Sequence, residues 1–156
     1  MTIIVYKDGI VAADRLLAAG FSTQHVTKLH VLPDGTLAAG AGDIGDVSYW
    51  MASLRGEVSR HPVPDDFSID GITISPYGAI EIYSDSLLPY PFLGGNFMAI
   101  GADAACFAAQ VLHHMHRDAY QIVEAISRES GFSGVDIANF RDGVWEVGTV
   151  LRGDTI

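Results

Sequence analysis

Thr2-Ile3-Ile4-Val5-Tyr6 runs into Lys7-Asp8-Gly9 and returns through Ile10-Val11-Ala12-Ala13-Asp14. β-Branched and aromatic residues suit an extended chain, and Asp and Gly tolerate the positive φ of a tight turn. The stretch therefore predicts an antiparallel hairpin. Two further stretches repeat the pattern. Val26 to Leu32 turns at Pro33-Asp34-Gly35 into Thr36 to Ala41, and Gly71 to Ser75 turns at Pro76-Tyr77-Gly78 into Ala79 to Ser84. In each, an apolar run breaks at residues that favour a turn for a steric reason.

Helices interrupt the hairpins. Gly40-Ala41-Gly42 allows a tight passage, and Asp43 is suited to capping a helix over Ile44 to Val58. Ile44, Val47, Trp50, Met51 and Leu54 fall on one face of that helix, as a core-packing stripe does. Arg60 to Asp70 reads as a connection and Leu87 to Gly95 as a loop, followed by a short strand from Asn96 to Ile100. Two more helices are predicted, over Ala102 to Met115 and Ala119 to Ser130, the second with Ile122, Val123 and Ile126 on one face. A turn at Phe140 to Gly143 leads to a last strand, Val144 to Leu151. Consecutive hairpins imply antiparallel sheets, and with the helices the class is α+β. Two such sheets with helices outside would form a four-layer αββα sandwich, a layering that the pattern alone does not fix.

The chain has 156 residues, a length that fits one domain over 1–156 with a substantial core. With 19 acidic against 9 basic residues, its net charge is −10, which argues against a nucleic-acid partner. The start lacks a basic segment followed by a long apolar run, so no signal peptide is expected. No apolar stretch approaches the roughly 18 residues of a membrane span. Cys106 is the single cysteine and lies among alanines and Phe107, which favours a buried, inert thiol. A lone cysteine fits a cytoplasmic protein.

Four positions could carry chemistry. If Met1 is removed, Thr2 becomes terminal and combines a hydroxyl nucleophile with an α-amine whose ordinary pKa, about 7.7 to 8.0, suits a base. Asp14 ends a predicted strand after small apolar residues, where it is either solvated or holds a buried cation. Lys28 shares a strand face with Val26 and His30, either facing solvent or standing beside Thr2 and Asp14. A positive charge beside Thr2 would depress the α-amine pKa and favour the free base. The Gly40 N–H, before a helix start, can point at a developing oxyanion, and a glycine there lets substrate approach closely. A Gly-x-Gly more often marks only a tight turn.

Thr2-Ile3-Ile4-Val5, Ala12-Ala13-Asp14, Lys28, Ala38-Ala39-Gly40-Ala41-Gly42 and Ala99-Ile100-Gly101 follow the order found in proteasome β-subunits and HslV, which most of the chain resembles. The short length and the Trp50 to Gly56 segment look more like compact HslV-like proteins of phages and prophages. The resemblance implies the αββα fold of N-terminal-nucleophile (Ntn) hydrolases. It also implies a threonine peptidase, with Thr2 as nucleophile and base, Asp14 and Lys28 as the ion pair that tunes it, and Gly40 as the oxyanion hole. A peptide or unfolded polypeptide would be the substrate, a homo-oligomeric ring the assembly and an ATPase unfoldase a partner, with no cofactor. Two positions depart from the family. Ala102 replaces a serine that helps hold the terminal amine, and Ser130, beside Glu129, replaces an aspartate ahead of Ser133-Gly134.

His113 and His116 share a helix face but lack a placed carboxylate or cysteine, so no metal is expected. Asp65-Asp66 and Asp85 read as solvated loop acids. Two other functions remain open from the sequence: a catalytically silent assembly protein, and a small-molecule amidase on the same fold.

Overall fold

A computed structural model describes residues 2–19, 22–58, 63–128 and 134–151. The first hairpin forms as expected, β1 (Ile3–Lys7) and β2 (Ile10–Asp14) turning at Asp8 and Gly9, both at positive φ. A hairpin absent from the sequence reading follows, β3 (Leu16–Ala19) paired with β4 (Ser22–His25). The second expected hairpin is shorter than its apolar runs, with β5 (Leu29–Val31) and β6 (Leu37–Gly42). Helix α1 (Ile44–Leu54) begins at Asp43, whose carboxylate accepts the N–H groups of Gly45 and Asp46.

Helix α1 stops at Leu54 rather than at Val58. Gly56 adopts φ +75° and bonds back to the Ser53 carbonyl, while the Glu57 N–H reaches Ala52. This is a Schellman ending, for which glycine in the left-handed region is the usual means. β7 (Ile69–Ile74) and β8 (Ile80–Ser84) form the third hairpin. The predicted loop from Leu87 contains a two-residue strand, β9 (Tyr90–Pro91), which pairs with β8. β10 (Phe97–Gly101) leads into α2 (Asp103–His114), and α3 (Ala119–Arg128) follows. The expected extension of α3 to Ser130, with Glu129 and Ser133, lies outside the described residues. β11 (Gly134–Arg141) is a further strand that the sequence reading did not find, and β12 (Val144–Leu151) closes the order.

Among the described residues the strands form two five-stranded antiparallel sheets, β10-β1-β2-β11-β12 and β5-β6-β7-β8-β9, beside the small β3-β4 ribbon. Three apolar clusters establish the layering. Ile4, Val11, Ala13, Leu37, Ala39 and Ile72 meet between the two sheets. Ile3, Val5 and Ala12 project from the opposite face of the first sheet onto α2 and α3, against Ala109, Ile122 and Val123. Ala38, Ile69 and Tyr83 project from the second sheet onto Trp50 and Met51 of α1. The order is therefore helices, sheet, sheet, helix: the expected αββα sandwich. Strands buried on both faces read as continuous apolar runs rather than alternating ones, which explains Ile3-Ile4-Val5 and Val11-Ala12-Ala13.

Candidate active site

The β3–β4 ribbon builds the site. Asp14 ends β2, and the chain leaves through the ribbon and comes back beside its starting point, where the Val26 N–H donates to the Arg15 carbonyl at 2.9 Å. That closure brings Lys28, fourteen residues after Asp14 in sequence, onto the Asp14 carboxylate. Lys28 Nζ lies 2.8 Å from Oδ1 and 2.9 Å from Oδ2, and 3.0 Å from Thr2 Oγ1. An ammonium has three hydrogens, and each has an acceptor here. Asp14 is fully buried and also accepts the N–H groups of Ile3, at 2.8 Å, and Leu16, at 3.0 Å. Lys28 is 8% exposed. Burial pushes its ammonium below the ordinary lysine value, while Asp14, and more weakly Asp136, pull it back up.

Thr2 is held from the other side. Its carbonyl accepts the Ala102 N–H at 3.1 Å, just beyond Gly101, whose φ is +132°. A Cβ on Gly101 would overlap the Thr2 carbonyl oxygen, so this close approach requires glycine. Ala102 occupies the N-cap of α2 and supplies no side-chain hydrogen bond there.

A cavity of about 420 Å³ opens on Thr2, Lys28 and Gly40. Val26 and His30 line it with Lys28, so the shared face read from their spacing exists, although 26–28 precede the strand. Ile44, Val47 and Met51 form the wall given by α1, so the stripe taken as core has two uses. Gly40 brings only its backbone to the cavity. The volume its missing side chain frees is filled by Trp50, since a Cβ there would lie 2.7 Å from the indole, as it would at Gly71, its partner across β6 and β7. The glycine is thus explained by packing rather than by substrate approach.

Sequence reasoning missed a second buried carboxylate. Asp136, also fully buried, accepts from Thr149 Oγ1 at 2.5 Å and lies 3.3 Å from Arg15 Nε, while its Oδ2 has no partner among the described residues. An acid between Val135 and Ile137 was the available signal. His30 and Arg55 at the cavity were also missed; burial first, then the Arg55 charge, push the His30 imidazole down. Cys106 is half-buried, and burial pushes its thiol up, as an unreactive cysteine requires. Among the described residues no group of three or more His, Cys, Asp or Glu is arranged to hold a metal ion.

Two known proteins are similar to this chain. The chain is 32% identical over 99 residues to proteasome subunit beta 2 of Pyrococcus abyssi (strain GE5 / Orsay), covering 60% of this chain and 48% of that protein. It is 31% identical over 103 residues to proteasome subunit beta 1 of Thermococcus onnurineus (strain NA1), covering 64% and 49%. The chain is similar to proteasome β-subunits over these stretches. Among the described residues, the two five-stranded sheets and three helices fit the proteasome-type Ntn fold. It spans about half the length of the curated relatives it matches. No family model matches it. Among the described residues, no helix is long and apolar enough to cross a membrane.

Proposed function

We propose that this chain is a threonine-type peptidase in which Thr2, freed by removal of Met1, is the nucleophile. The observation that carries the reading is the chain of hydrogen bonds from Thr2 Oγ1 through Lys28 Nζ to the buried Asp14 carboxylate, at the mouth of a cavity. Lys28 donates to Oγ1 and stabilises the alkoxide character that develops during attack. As an ammonium it has no lone pair, so the base is the α-amine of Thr2. Oγ1 attacks the scissile carbonyl carbon and its proton passes to the amine. The proton then goes to the departing peptide amine as the C–N bond breaks. Water, activated by the same amine, hydrolyses the ester and restores Thr2. The Gly40 N–H is the proposed oxyanion donor.

The substrate on this reading is a peptide or unfolded polypeptide, since the similar proteins are proteasome subunits. A homo-oligomeric ring of the HslV-like kind, an ATPase unfoldase and a cytoplasmic location belong to the same proposal. One observation favours a second reading, a catalytically silent relative: Ala102, at the N-cap of α2 beside Thr2, offers no side-chain hydrogen bond.

Intact mass spectrometry before and after treatment with a peptide epoxyketone separates the two. The peptidase reading expects a chain without Met1 that gains one inhibitor mass on Thr2, and a Thr2→Ala variant that folds but neither labels nor hydrolyses. A chain that keeps Met1 and gains nothing would establish the silent reading.

A further inference from the structure

At the far end of β1 from Thr2 lies a second cavity, of about 430 Å³, between the end of β1, the start of β10 and the C-terminus of α2. Lys7, the last residue of β1, is more than nine-tenths buried. Its ammonium donates to the Arg117 carbonyl at 2.5 Å, and among the described residues no carboxylate lies within 4.0 Å of it. Burying an ammonium without a counter-ion is unfavourable. Beside it, His113 stacks on Phe97 with ring centroids 4.1 Å apart, and its Nδ1 is buried with no partner among the described residues. His114, His116 and the Arg117 side chain line the same cavity.

Five basic side chains thus converge in a protein whose net charge is −10. The two acids in the lining are each held by a hydrogen bond within the protein, Asp8 by Asn96 of the same lining. Asp8 Oδ1 accepts from Asn96 Nδ2 at 2.7 Å, and Asp118 caps α3, accepting the Gln121 N–H at 2.8 Å. The negative end of α2 does not stand bare toward the cavity either. The His116 N–H bonds to the His113 carbonyl and the Arg117 N–H to that of Leu112, closing a Schellman motif. His116 occupies the left-handed position at φ +61°, where glycine is usual. That choice keeps an imidazole at the cavity at some conformational cost.

We infer that this cavity is a binding site for a small oxyanion, a phosphate or carboxylate group held by the Lys7 ammonium, the Arg117 guanidinium and the His113 imidazole. The anion supplies the counter-charge Lys7 lacks. The site is independent of Thr2 and of any hydrolysis.

The test titrates the intact protein with inorganic phosphate, and separately with acetate, at pH 6.5 and constant ionic strength. Binding is followed by the imidazole carbon–proton NMR resonances. Saturable movement of the His113 and His116 resonances is expected with at least one anion, and a midpoint at least tenfold weaker in Lys7→Met. Tighter phosphate than acetate binding marks a phosphate group; equal affinity marks a carboxylate. If Lys7→Met fails to fold, Arg117→Gln, at an exposed position, is expected to weaken binding threefold or more. Shifts that do not saturate with either anion, or a folded variant that binds as wild type does, would overturn the inference.

Discussion

Lys28 and Lys7 are equally buried, at 8% exposure each, and sit near opposite ends of β1, yet their surroundings are opposite in kind. Lys28 has both oxygens of a buried carboxylate and a threonine hydroxyl, so every ammonium hydrogen is satisfied. Among the described residues, Lys7 has a single carbonyl. Burial alone therefore does not say what a lysine does. A fully coordinated one is a preorganised part of whatever chemistry its neighbours perform, because its geometry is set before substrate arrives. One with hydrogens to spare and an open cavity beside it is arranged to receive something.

The comparison breaks most sharply under the same substitution at both ends. Lys28→Met removes the donor to Thr2 Oγ1 and leaves Asp14 buried with two backbone N–H groups. The expected result is a hydrolysis rate lower by about two to four orders of magnitude and a stability loss of about 3–5 kcal/mol. Denaturant unfolding and peptide turnover measure the two. Lys7→Met removes an uncompensated charge instead, so in anion-free buffer it is expected to leave the melting temperature unchanged or raised. Equal destabilisation by both substitutions would show that the two lysines do not differ in the way argued.

A smaller effect is expected where the backbone, not a charge, holds the nucleophile. Gly101→Ala places a methyl against the Thr2 carbonyl oxygen at a φ that L-residues rarely adopt. A stability loss of about 2–3 kcal/mol is expected, in the range of backbone strain, together with a slower reaction at Thr2. Wild-type stability with wild-type turnover would mean that this elbow does not position Thr2.

Much of the sandwich was legible because its turns carry their own chemistry: Asp8-Gly9, Pro33-Asp34-Gly35 and Pro76-Tyr77-Gly78 each sit between apolar runs. Thr2, Asp14 and Lys28 were also legible as residues, and the structure joins all three. The path that joins them was not. Leu16-Leu17-Ala18-Ala19 is made of good helix formers without a β-branched residue, yet it forms β3, since tertiary pairing overrides local preference. β11 was missed because Asp136 and Asn139 interrupt its apolar run, and only the pairing of β11 with β2 and β12 shows why an acid is there. Gly40 is a different lesson. The glycine is visible in the sequence, but its partner in packing, Trp50, lies ten residues on and in another layer.

The finest test concerns which force dominates at Lys28. An ion pair alone would raise a lysine's pKa, whereas burial lowers it, and here burial wins although Asp14 opposes it. The folded protein then holds the Lys28 proton less tightly than the unfolded chain, whose value is about 10.4. Between the lowered folded value and that of the free side chain, unfolding takes up a proton. Stability must therefore rise with pH across this window, and below it the Lys28 contribution stays at its least favourable level. The slope is isolated by measuring unfolding free energy against pH for wild type and for Lys28→Met and taking the difference, which removes the other titrating groups to first order. A difference that grows in favour of wild type as pH rises through this alkaline window is the expected outcome. A difference that shrinks instead would mean that pairing with Asp14 outweighs burial. The Thr2 end of β1 would then hold a strongly stabilising salt bridge rather than a costly one kept for its geometry.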